Sequence, residues 1–196
     1  MWRKTNPRVR DGRVQRKNRS ETTRPHGPRR RSLPDIHREH PGRTYRHVVD
    51  EEDVRRLIAL LPDWGVLSAG LEAIVLAQGD DDLQGWYRRG IIGLCAWDRD
   101  LEQLYDLWFV EQHAEVLEML DVPVEREAER MRCRFDEGSA RDFSLLHVFL
   151  HEVGHHVDLM STQRRRDCPC GEPFAESWAV ERGRALWPAY ARAFPR

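Results

Sequence analysis

The chain has 196 residues, room for one ordinary domain and an extension, and its net charge of −1 conceals a division. Residues 1–47 carry 13 Arg and 2 Lys against 4 acidic residues, whereas the remainder carries 17 basic and 29 acidic residues. The sequence contains no apolar run of about 18 residues and no apolar stretch after the basic start. Its 4 cysteines are too few and scattered for a disulfide framework, so a membrane span and a secretory leader are not expected and a reducing, cytoplasmic setting is.

Residues 1–44 are rich in Arg, Pro, Gly and Ser and poor in large aliphatic side chains, with Leu33 and Ile36 the exceptions. Such a segment buries too little apolar surface to offset the entropy of ordering it, so it reads as a disordered basic arm. As an arm it would contact nucleic acid or another polyanion through phosphates without reading bases. Residues 45–196 read as the folded domain.

Within that domain Asp50 to Asp53 place carboxylates at a helix start, and Val54, Leu57, Ile58 and Leu61 give its apolar stripe before Pro62. Residues 71–77 form an apolar strand closed by Gly79 and three aspartates. Two short runs around Gly90, residues 85–97, suggest a hairpin. The spacing of Leu101, Leu104, Tyr105, Trp108, Val116, Leu117 and Leu120 predicts one helix over 101–120, ended by Pro123. Residues 128–135 alternate as a half-exposed strand does. A helix follows, with Ser139 or Asp142 as its cap, and a last helix runs from Pro173 to Pro188. Helices and a few strands in this order predict an α+β fold, a small twisted sheet with helices on one side.

The chemistry is concentrated at His151-Glu152-Val153-Gly154-His155. Histidines four apart on a helix project from one face and can take two corners of a tetrahedral Zn²⁺ site. The glutamate between them points about 100° away, in reach of a water beside the metal. Upstream turns are apolar (Phe143, Leu145, Leu146, Val148, Phe149, Leu150), so these polar groups lie on a buried helix, which is costly unless they are paired or bind metal. A third ligand must come from elsewhere. Glu176 stands on the next helix, amid Phe174, Ala175, Trp178 and Ala179, where a carboxylate wants a counter-charge.

The pairing of His151-Glu152-Val153-Gly154-His155 with Phe174-Ala175-Glu176-Ser177-Trp178-Ala179 resembles the gluzincin branch of the zincin metallopeptidases, and the small intracellular zincins of the ImmA/IrrE kind. The resemblance covers residues 140–187 by motif and 70–138 by layout. It implies a minimal zincin-like domain in which His151, His155 and Glu176 hold zinc and Glu152 is the general base. The implied activity is hydrolysis of peptide bonds in a peptide or protein substrate, with an extended substrate added to a sheet edge at 128–135 or 85–97. The resemblance assigns no electrophilic Tyr or His; Tyr190, Tyr87 and His113 are the candidates.

Blander readings stand beside these. His147 extends the four-residue series but reads as a supporting or core histidine, and His156 as a solvent-facing or supporting one. Asp158 and Glu172 are minor alternatives for the third ligand, Asp158 being better placed to orient a ligand or end the helix. Cys168 and Cys170 read as loop thiols, and the tryptophans as core and cleft packing. A different class of function also fits: a non-catalytic zinc-binding domain tethered to nucleic acid by the basic arm. The intact Glu152 favours the enzyme, since a structural zinc site has no use for a base.

Overall fold

The computed structural model describes residues 34–162 and 170–195 in full, and the backbone alone at 9–10, 13–14 and 163–165. The chain divides into two units, residues 1–32 and 33–196. In the first, β1 (Val9–Arg10) pairs antiparallel with β2 (Arg13–Val14). The remainder of the basic arm up to residue 33 lies outside the described residues.

The second unit starts earlier than composition suggests. β3 (Asp35–Arg38) runs parallel to β5 (Ala73–Ala77), so the boundary expected at residue 45 falls inside the fold. A sheet edge takes its partner through backbone hydrogen bonds, which composition does not report, and Ile36 adds a contact with the core. β4 (Tyr45–Arg46) then leads to α1 (Glu51–Leu60). Asp50 caps α1 by accepting from the Asp53 amide while the Asp53 carboxylate accepts from the Asp50 amide, a reciprocal capping box. The short α2 (Trp64–Leu67) returns the chain to β5.

β6 (Gly85–Arg88) and β7 (Ile91–Cys95) form the expected hairpin, and the four-stranded order is β3-β5-β7-β6. β5 and β7 are central, parallel and apolar, as buried strands are. β8 (Trp97–Asp98) pairs with β4. β9 (Glu102–Asp106) begins where a helix was expected, and only then come α3 (Leu107–Gln112) and α4 (Ala114–Met119). β9 joins β10 (Val124–Glu127) and β11 (Arg130–Arg134) in an antiparallel sheet of order β10-β11-β9. The strand within 128–135 is therefore central and has no free edge to offer a substrate. Among the described residues the edge strands of these two sheets are β3 and β6, and β10 and β9.

Asp136 caps the next helix through a capping box with Ser139, three residues ahead of the first expected cap. α5 (Glu137–Phe143), a π-helical turn (Ser144–Phe149) and α6 (Leu150–Arg165) form one continuous rod. Phe143, Leu145, Leu146, Phe149 and Leu150 are fully buried in it, against the sheets and α7 (Glu172–Ala193). α7 runs past Pro188 because Leu186, Tyr190 and Phe194 hold it to the core on both sides of the proline. The result is an α+β fold with small sheets packed against helices. Among the described residues no helix is long and apolar enough to cross a membrane.

Candidate functional site

The rod and α7 bring two rows of side chains face to face. His147, His151 and His155 stand one turn apart along the rod, His147 on the π turn, a distortion that recurs at functional sites. Glu172 and Glu176 stand one turn apart at the start of α7. The rows meet because Gly154 has no side chain: a Cβ there would lie 2.9 Å from Ala175 Cα and 3.1 Å from its carbonyl oxygen. Asp158, almost wholly buried, fixes where α7 begins, its Oδ2 accepting from the Gly171 amide at 2.8 Å. Asp158→Ala should therefore cost about 1.5–3 kcal/mol of stability. It should also weaken divalent-metal binding by His151 and His155, with thermal melts and metal titration as the readouts. Wild-type values in both would show that Gly171 is anchored by something else.

The five side chains sort into two groups. His151 Nε2 and His155 Nε2 lie 3.1 Å apart, and Glu172 reaches them with Oε2 at 3.2 Å and Oε1 at 3.3 Å respectively. Glu176 turns the other way. Its Oε2 lies 3.3 Å from His151 Nδ1, and its Oε1 lies 3.2 Å from His113 Nε2. The sequence-predicted trio thus comes together through both faces of one imidazole. Glu172, a minor alternative in the sequence, is the carboxylate that shares the Nε2 face with both motif histidines.

Glu152 is buried beneath them, at 6 % exposure. A Cβ on Gly85 would come within 3.0 Å of its Oε1 and 2.5 Å of Val148 Cγ1, so only glycine at the head of β6 leaves the base its space. Burial raises the Glu152 carboxyl to about 7, with His151 opposing the shift and Glu172 adding to it. Burial pushes His151 down, but hydrogen bonding to Glu176 and the nearby carboxylates outweigh it and raise it overall. His155 is lowered by burial and by His151. Burial would raise Glu176, yet its contacts with His113, His151 and His147 hold it well below the usual carboxylate range.

The groups open into a cleft of about 1050 Å³, walled by β6 (Gly85, Trp86, Tyr87) and β9 with α3 (Gln103 to Asp106, Trp108, Phe109). Of the electrophile candidates, Tyr190 is fully buried and donates to Asp142 Oδ1 at 2.7 Å, away from the cleft. Tyr87 lines the cleft, but its hydroxyl sits 3.0 Å from His156 Nδ1 and accepts from the Gly90 amide. His156 is accordingly buried and supports Tyr87, its other ring nitrogen facing the Ala69 carbonyl. His113 reaches the site, held by Glu176. Tyr105 also lines the cleft, hydrogen-bonded by Gln84 and stacked on Phe109, which in turn stacks on His113. No local pattern singles Tyr105 out, because the segment carrying it reads as helix. Trp108, expected as packing, is 69 % exposed at the cleft. Cys170 is exposed, while Cys168 lies outside the described residues.

No family model, curated protein or solved structure matches this chain. The two imidazole Nε2 atoms lie 3.1 Å apart, and the Glu172 carboxylate meets each of them with a different oxygen, at 3.2 and 3.3 Å. A tetrahedron with bonds of about 2.0–2.1 Å has edges of about 3.3 Å, close to the histidine pair's spacing, and one donor atom from each of the three residues lies within 4.8 Å of the others, so the group could hold a small divalent ion. A buried carboxyl titrating near neutrality beside it has the properties of a proton acceptor and donor.

Proposed function

We propose that this chain is a zinc-dependent metallopeptidase working in the cytoplasm on a peptide or protein substrate. His151 and His155 hold the ion through Nε2, with Glu172 as the third ligand. Glu176, the ligand implied by the resemblance, holds the Nδ1 face of His151 and so fixes the orientation of the ring. The observation that carries this reading is the gathering of one donor atom from each of His151, His155 and Glu172 within 4.8 Å, on a helix whose intervening Glu152 is buried.

A zinc ion in this place supplies Lewis acidity that polarises the scissile carbonyl and makes water nucleophilic near neutral pH. The chain's own residues do the remainder. Glu152 accepts the proton of the attacking water and passes it to the departing amine. Its carboxyl, near 7, is equally able to take and to give that proton. The open edge of β6 accepts an extended substrate by strand addition, which presents successive carbonyls along the cleft wall. β6 is the edge left from the two segments that the sequence offered.

The test is the metal content of the full-length chain together with hydrolysis of an unfolded protein. The expected result is bound zinc, cleavage abolished by a chelator, and recovery on adding zinc back. A chain that binds no zinc, or cleaves equally well without it, ends the proposal. Zinc binding without turnover would favour the non-catalytic domain with a polyanion-binding arm.

A further inference from the structure

The second group, His113, His147 and Glu176, supplies no ligand to the ion of the reaction just described, yet it is the more buried of the two. His113 and His147 are 5 % and 6 % exposed, and the Glu176 side chain 14 %. The ligand atoms of the three lie within 4.8 Å of one another. We propose that these three residues hold a second divalent transition-metal ion, next to the His151 centre and separated from it by the His151 ring. Imidazole and carboxylate donors together suit zinc, cobalt, nickel or iron.

His113 Nδ1 lies 2.6 Å from the Phe109 carbonyl oxygen, which can only accept, so the ring proton of neutral His113 sits on Nδ1. Its Nε2 lone pair then faces Glu176 Oε1 at 3.2 Å. That oxygen is buried and makes no hydrogen bond of acceptable geometry. Two lone pairs facing each other in a buried place repel, and a cation between them removes the conflict. A proton on His113 would satisfy one pair. It would leave His147, whose Nε2 stands 3.7 Å from Glu176 Oε2, beyond hydrogen-bond reach. One ion meets all three donors.

The rings are also held in place for it. His113 stacks on Phe109 at 3.8 Å between centroids, and His147 packs edge-on against His113 at 4.6 Å and lies tilted against Phe143 at 5.0 Å. Donors fixed by packing before an ion arrives are what a binding site requires. The site needs no substrate and no proton transfer, so it stands independently of the peptidase reading.

The test is titration of the full-length chain with Co²⁺ after removal of metals by a chelator, following ligand-field absorption and bound stoichiometry. Wild type should take two ions per chain. His113→Gln and His147→Asn should each take one, and His155→Gln should take one at the remaining site. Melts of the metal-free variants against metal-free wild type identify any that fail to fold, and either histidine variant suffices alone. One ion in wild type that survives His113→Gln and His147→Asn overturns the proposal, as does no ion at all. One ion that survives His155→Gln and is lost with His113→Gln upholds this site and removes the catalytic reading instead.

Discussion

Glu152→Gln should lower peptide hydrolysis by about 10²–10⁴-fold while leaving zinc content unchanged and the fold at least as stable as before. The amide fills the same space under β6 but can neither take the proton of the attacking water nor return one to the amine. The stability half of this expectation comes from burial. A carboxyl raised to about 7 is one whose charged form the fold disfavours. Its folded value lies above the unfolded one, so its stabilising contribution is present below the ordinary glutamate value and fades as pH rises through 7. The neutral amide does not fade, and its melting temperature should exceed wild type most clearly in alkaline buffer. Hydrolysis rates, zinc analysis and melts across pH check the three parts. Normal turnover in the variant would remove Glu152 from the mechanism.

Gly154→Val should damage the site without altering any ligand. The new side chain meets the backbone of Ala175, which has no rotamer to adopt, so α7 must move away from α6. The overpacking should cost about 1–3 kcal/mol. Because Glu172 and Glu176 travel with α7, zinc affinity should also fall by at least about tenfold, as expected when the groups that position ligands are disturbed. Thermal melts and competition with a metal-binding dye measure the two effects. A loss of stability with unchanged affinity would show that α7 aligns its carboxylates without this contact.

Much of the fold was legible where the sequence carries local instructions. The acidic cap at Asp50, the apolar strand at 73–77, the 85–95 hairpin and the buried motif helix all speak through residues near in sequence. The region after Leu101 misled because Leu101, Leu104, Tyr105 and Trp108 fit a helical face, while the pairing of β9 with β11 decided the outcome. Long-range pairing overrides propensity in this way. At the site, the motif histidines and Glu152 were plain. Choosing between Glu172 and Glu176 was not, since they lie one turn apart on the same helix and only the closeness permitted by Gly154 determines which carboxylate meets which ring nitrogen. His113 was a candidate for a different role, and its contact with Glu176 comes from a segment 34 residues ahead of His147.

The two unpaired edges that frame the cleft also bear on how copies of this chain treat one another. An open strand is a template for any other strand, including the same one on a neighbour. β6 has only four residues and ends in Arg88, and β9 is bounded by the charged Glu102 and Asp106. Short, charged edges of this kind stay available to a flexible guest while resisting the edge-to-edge stacking that leads to aggregates.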